Sequence, residues 1–216
     1  MYLGIDIGGA NLKAIGLNKN KRILFVYYKK CPVWLGTKEL EKEISFLNKK
    51  INVNNVICGI TMTAELCDNF NDRNEGVNKI KAICAKLNCK CLYFNNKTKS
   101  LFDFDTNNIS IASMNWLSTG SFIQRQVKNA LIVDFGSTTT DLVVIKNSKI
   151  KNKFFTDFDR MNNDELIYTG FTRTPIFSIL REVKWKNSIF QIIPEFFSNT
   201  ADLYRVKLML SDRVDL

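Results

Sequence analysis

The chain has 216 residues, 45% of them hydrophobic and 24% charged, and it contains no histidine. These are the proportions of an ordinary globular protein, and no run approaches the ~18 apolar residues of a membrane helix. The missing histidine excludes Ser-His-Asp and Cys-His catalysis, His-ligated zinc and HExxH chemistry, and leaves Asp, Glu, Lys, Tyr, Cys and backbone groups as acids, bases and ligands.

The first residues, Met1 to Ile7, are apolar and interrupted by an acid rather than led by basic residues. They predict no signal peptide and a cytoplasmic location. Residues 3–17 (LGIDIGGANLKAIGL) predict a strand, a tight turn and a returning strand. Ile23–Tyr28 reads as a third strand, and Thr37 as the cap of a helix running to about Lys50. Asn55–Ile60 holds a short buried strand, VICGI, of the kind a parallel sheet uses. Glu75–Leu87 is an amphipathic helix, Cys91–Phe94 a strand, and Ile109–Leu117 a helix joining two halves.

Residues 131–145 (LIVDFGSTTTDLVVI) echo the first hairpin, with Asp134 falling on Asp6 and Gly136 on Gly8. A third strand at Ile150–Phe155, an extended segment at Glu165–Thr174 and helical stretches at 175–182 and 199–209 follow. The expectation is an α/β fold of duplicated domains with mixed sheets, residues 1–125 and 126–216, the second lacking the later elements of the first.

The net charge is +10, yet the lysines are scattered in pairs such as Lys29-Lys30 and Lys49-Lys50, and Asn, Ile and Phe are abundant. The basicity is therefore read mainly as composition, leaving anionic small molecules as the expected partners, with neither nucleic acid nor membrane among them. Six cysteines include no CxxC pair, and Cys84-x4-Cys89-x-Cys91 matches no standard zinc or iron–sulfur spacing. They are read as reduced thiols packed as small hydrophobes.

The two turns carry the chemistry. Asp6 sits near the end of a buried strand, Gly8 and Gly9 allow a tight bend, and Asn11 and Lys13 follow with polar ends. In the second turn Ser137, Thr138, Thr139 and Thr140 offer hydroxyls beside exposed amides. Such turns suit phosphate oxygens, with Asp6 and Asp134 holding Mg²⁺ directly or through water. The plainer reading of a single turn is a Gly-rich hairpin. Two turns with an Asp at the same place favour a cation, since convergent carboxylates are costly without one. The absence of GxxxxGK[ST] and GxGxxG removes the P-loop and dinucleotide-fold readings.

The paired hairpins resemble the phosphate-binding turns of the actin, sugar-kinase and Hsp70 superfamily, whose domains are ribonuclease H-like. More specifically, GIDIGGANLKAI, TMTAELCDNFNDRNEGV, ASMNWLSTGSFI, VDFGSTTTDLVVI, ELIYTGFTRTPI and SNTADLYRV resemble, in order, the hydantoinase/oxoprolinase-related family linked to tetrahydromethanopterin C1 transfer. That family includes enzymes of methanofuran biosynthesis. The resemblance implies a Mg²⁺-assisted transferase that joins a furanylmethyl diphosphate to a phenolic, tyramine- or tyrosine-type acceptor and releases pyrophosphate. By matching motif it implies Asp6, Glu65 and Asp134 as catalytic residues and Asp6 and Asp134 as metal ligands. Phosphate binding would fall to Gly8, Gly9, Asn11, Lys13, Arg73, Gly136, Ser137, Thr138 and Thr139. Asp141, Tyr168, Thr172, Arg173, Asn199 and Asp202 would line the substrate cleft. For Glu65 the alternative is a buried salt bridge to a Lys or Arg, and for Tyr168 core packing.

Family members continue well beyond the SNTADLYRV motif, so the shorter chain predicts exposed apolar surface on its second half and a separate C-terminal fragment or a second copy as partner. Other readings of the same fold are an ATP-dependent kinase or amidohydrolase, and an inactive binding module.

Overall fold

The computed structural model describes residues 1–51, 55–97, 100–102 and 108–211. The chain divides into two compact units, Met1–Gln126 and Val127–Leu216.

In the first unit, β1 (Tyr2–Ile7), β2 (Asn11–Leu17) and β3 (Ile23–Lys30) form an antiparallel meander. Then α1 (Lys38–Lys50) leads to β4 (Ile57–Met62), and α2 (Arg73–Cys84) to β5 (Lys90–Asn95). β6 (Ser100–Phe102) turns back on β5, and α3 (Asn108–Ile111) and α4 (Asn115–Ile123) close the unit. The sheet order is β3-β2-β1-β4-β5-β6, with β1, β4 and β5 parallel. This is the mixed α/β sheet expected from the sequence.

The pleat explains the layering. Leu3, Ile5 and Ile7 of β1 and Cys58, Ile60 and Met62 of β4 alternate onto one buried face. Leu40, Ile44 and Leu47 of α1 and Val77, Ile80 and Ile83 of α2 recur at helical spacing and join the same core. Glu39 and Glu41 in the first turn of α1, and Lys49 and Lys50 in its last, complement the helix dipole. The α2 helix starts at Asp72, whose carboxylate accepts the Glu75 amide at 2.8 Å. Thr37 occupies the cap position of α1 as expected, but its side chain accepts no backbone amide.

In the second unit, β7 (Asn129–Phe135) and β8 (Thr140–Lys146) form a hairpin, extended by the short β9 (Lys149–Ile150). After α5 (Asp157–Met161), β10 (Leu166–Ile167) pairs with the other edge of β8. Val143, Ile145, Ile150 and Leu166 are buried, whereas Leu131 and Val133 are 62% and 57% exposed on the uncovered face of β7.

Three local expectations are corrected. Of the strand expected over Ile150–Phe155 only Lys149–Ile150 pairs, because the Asn152 side chain takes over, donating to the Leu142 carbonyl and accepting the Val144 amide. The helix expected over 175–182 is a single turn at Ile176–Ser178, followed by a hairpin of β11 (Glu182–Trp185) and β12 (Ser188–Gln191). The Lys186-Asn187 turn drives that outcome, with Lys186 at φ 53. The last helix, α6 (Thr200–Val206), is shorter than the expected 199–209.

Candidate functional site

The first turn lies at the carboxyl end of β1, where parallel strands open ligand sites. The Gly8 amide donates to the Asn11 carbonyl at 3.0 Å, and the Thr63 amide donates to Ile7, tying the end of β4 to the turn. Thr61 stands beside Asp6 in register and donates its hydroxyl to the Asp6 carboxylate at 2.9 Å. Lys13, directly opposite on β2, places its ammonium 3.5 Å from the other carboxylate oxygen. Sequence reasoning missed Thr61 and Thr63. The signal available was TMT, closing the strand that pairs with β1.

The second turn repeats the first. The Gly136 amide donates to the Thr139 carbonyl at 2.9 Å. A Cβ on Gly8 would lie 3.1 Å from the Asn11 carbonyl oxygen, and one on Gly136 would lie 3.1 Å from that of Thr139. Neither glycine has a positive φ, so closeness of backbone to backbone, not the tight bend expected from the sequence, selects glycine here. Gly9 likewise lies against Cys67, where a Cβ would come within 3.1 Å of the sulfur. In the second turn Asp134 is exposed, and the Ser137 and Thr138 hydroxyls form no hydrogen bond among the described residues.

Asp6, Lys13 and Thr61 form the polar end of a cavity of about 760 Å³ over the sheet face turned away from α1 and α2. Its floor is low because Gly4 and Gly59, partners in register, present no side chains. Ile15, Val26, Tyr28 and Phe94 supply apolar walls, and Ser121, Phe122 and Arg125 of α4 and the residues after it line another side. An anionic group at the turn could thus continue into an apolar, aromatic-lined trough.

Several expected site residues have other engagements. Glu65 has no exposed side-chain surface; its carboxylate accepts the Ser113 hydroxyl at 2.8 Å and lies 3.7 Å from Arg73 Nε. Burial holds it above the ordinary carboxylate range, against the opposing pull of Ser113 and Arg73. Glu65 thus takes part in the buried salt bridge that was the alternative reading. Arg73 begins α2 and donates to Ser113 at 2.7 Å, which draws its guanidinium into this network. Gly76 permits this packing, since a Cβ there would lie 2.7 Å from the Glu65 carbonyl oxygen.

In the second unit Asp141 pairs with the buried Arg160 at 2.7 Å, and burial raises its pKa against the guanidinium's pull. Asn199 and Asp202 form a capping box for α6, each side chain accepting the other's amide. Thr172 is buried, while Tyr168 and Arg173 are exposed, so Tyr168 is not core packing. The segment around them packs on the second turn: the Phe171 amide donates to Gly136, and the Thr172 and Arg173 amides donate to Ser137.

One cluster was not foreseen. Cys58 of β4, Cys91 of β5 and Cys89 just before it bring their sulfurs within 4.8 Å of one another. The Cys91 thiol donates to the Cys84 carbonyl at 3.4 Å; its neighbours Cys58 and Cys89 hold its pKa down, while contact with Cys89 and Cys91, together with burial, raises that of Cys58. No helix among the described residues is long and apolar enough to cross a membrane.

Comparison with known proteins places these features in a family. The hydantoinase/oxoprolinase family model matches residues 58–199. The chain is 34% identical over 208 residues to a (4-{4-[2-(gamma-L-glutamylamino)ethyl]phenoxymethyl}furan-2-yl)methanamine synthase of Methanocaldococcus jannaschii, covering 94% of this chain and 61% of that protein. A synthase of the same name from Methanococcus vannielii is 38% identical over 84 residues, covering 38% of this chain and 37% of that protein. The chain thus spans less than two thirds of the length of either relative. Similar solved structures include a Ppx/GppA phosphatase of Aquifex aeolicus, with TM-score 0.42 and 14% identity over 79% of this chain and 52% of that one. A ROK family glucokinase of Streptomyces griseus gives TM-score 0.42 and 14% identity, over 72% of this chain and 48% of that one. From a family match that covers more than half of its length, together with the paired Asp-x-Gly turns, the chain belongs to the hydantoinase/oxoprolinase family.

Proposed function

We propose that the chain acts in the biosynthesis of a methanofuran-type cofactor, as the catalytic part of a transferase that joins a furanylmethyl diphosphate to a phenolic acceptor. The observation that carries the reading is the Asp-x-Gly turn at the polar end of an apolar trough, repeated in the second unit. The relatives' name supports the chemistry, because its phenoxymethyl-furan unit contains an ether between a phenol oxygen and a furan-bound methylene.

In the proposed step the methylene–oxygen bond to diphosphate breaks, and pyrophosphate leaves with the bonding pair. The phenol oxygen forms the new carbon–oxygen bond, and its proton passes to a pyrophosphate oxygen. Furan supports positive charge on the methylene, so cleavage can run ahead of attack. Lys13 and the turn amides would neutralise charge growing on the leaving group. Thr61 would hold the Asp6 carboxylate in one orientation. The trough walls Tyr28, Phe94 and Phe122 would receive flat rings and exclude water.

Mg²⁺ fits the donors of the second turn, where the exposed Asp134 carboxylate and the Ser137 and Thr138 hydroxyls are hard oxygen ligands. When bound there it would neutralise the charge of phosphate oxygens at that turn. The chain incubated with a furanylmethyl diphosphate, a tyramine-type phenol and Mg²⁺ should release pyrophosphate and form the ether. Folded protein that releases none above a protein-free control would overturn the reading.

A further inference from the structure

We infer that Cys58, Cys89 and Cys91 form a structural site for one thiophilic d¹⁰ cation, zinc(II) or copper(I), separate from the turn chemistry. The geometry comes from three different points of the first unit. Cys58 and Cys91 are partners in register on the adjacent parallel strands β4 and β5. Cys89 stands in the connection from α2, which is held in place by its own amide bond to Leu87 and by the Lys90 amide bond to Val56.

All three sulfurs lie within 4.8 Å of one another, and the group contains no nitrogen or oxygen ligand. A metal–sulfur distance of about 2.3 Å requires sulfurs about 3.8 Å apart in a tetrahedral site, or about 4.0 Å apart in a trigonal one. The observed spacing accommodates either with small side-chain rotations. Thiolates select soft ions over Mg²⁺, so this site and the oxygen donors of the turns would take different metals.

Burial supports a structural role. Cys58 is fully buried and Cys91 9% exposed, whereas Cys89 is only partly buried and marks the open side where an ion enters. Cys58 precedes Thr61 by three residues on the same strand, which puts the cluster ~10 Å from the turn, toward the amino ends of the parallel strands. Ligand chemistry in such sheets sits at the carboxyl ends. An ion here would staple β4, β5 and the α2–β5 connection, which no disulfide crosses. None of the six cysteines is in a disulfide.

The test uses the full chain, reduced and metal-free. One equivalent of cobalt(II) should produce a sulfur-to-metal charge-transfer band, and one equivalent of zinc(II) should bleach it. A parallel titration of copper(I) against a chromogenic chelator decides between the two ions. Cys89→Ser, at the partly buried position, should weaken binding by at least ~100-fold, more than loss of an outer-shell partner usually does. Cys67→Ser should leave binding unchanged. A readout independent of any variant is alkylation of the wild type. Zinc(II) or copper(I) should protect Cys89 and Cys91 while leaving Cys67 reactive, and should raise the melting temperature. Absence of a thiolate band, binding that survives Cys89→Ser, or equal alkylation with and without metal would overturn the assignment. None of these outcomes depends on pyrophosphate release, so the site stands or falls apart from the proposed reaction.

Discussion

Gly170 offers a stringent test of how the second turn is held. A Cβ at this position would lie 2.4 Å from the carbonyl carbon and oxygen of Ser137 and 2.5 Å from the Thr138 nitrogen. Ordinary contact begins near 3.4 Å, so alanine is about 1 Å too large, and every atom it meets is backbone that no rotamer can move aside. Gly170 has no positive φ, so the whole penalty is steric. Relief requires separating residues 169–173 from the turn, which stretches the amide bonds of Phe171, Thr172 and Arg173 to Gly136 and Ser137. Overpacking of this kind costs ~1–3 kcal/mol, and losing backbone hydrogen bonds worth ~1 kcal/mol each gives the same scale. For a chain of this size about 2 kcal/mol lowers the melting temperature by about 4–8 °C. The assay is a thermal melt of Gly170→Ala beside the wild type, repeated with Mg²⁺ and pyrophosphate. The variant should melt lower and gain less from the ligand pair. A melting temperature within ~1 °C of the wild type would refute the close-packing argument.

Two further outcomes follow from the same geometry. Asp6→Asn keeps the Thr61 hydrogen bond but loses the Lys13 ion pair, an exposed contact worth at most ~1 kcal/mol. Asp134→Asn relieves repulsion felt by Asp141 and should melt at or above the wild type. Each should weaken the stabilisation by Mg²⁺–pyrophosphate, and a variant that keeps the full ligand response would remove its own carboxylate from phosphate binding. Glu65→Ala strands the Arg73 guanidinium and the Ser113 hydroxyl, so chemical denaturation should show a loss of ~3–5 kcal/mol. Because burial raises the Glu65 pKa, the native state binds a proton before the unfolded chain does. Its stability should therefore gain as pH falls through the folded value toward the ordinary 4.5. Glu65→Gln should erase that gain, and a pH-independent difference between variant and wild type across this window would contradict the reasoning.

Period and punctuation in the sequence determined the elements. The alternation in LGIDI, the helical spacing of α1 and α2 and the apolar VICGI run predicted the meander and both βαβ connections, and the Asp–Gly echo predicted two equivalent turns. These are local signals, written by pleat and helix pitch into neighbouring residues. The partners of Glu65 were not legible, because Ser113 lies 48 residues away and reaches it only when the α3–α4 connection packs on the turn after β4. Nor could spacing reveal the cysteine cluster, since Cys58 joins Cys89 and Cys91 through the parallel register of β4 and β5. The Asn199–Asp202 box is a local cap that the sequence reading did not name, because a cap and a binding cleft call for the same polar side chains. Sequence carries the periodic and nearest-neighbour terms. Which carboxylate stays exposed, which is sealed against an arginine and which thiols meet is decided only when distant strands fix their register and the core excludes water.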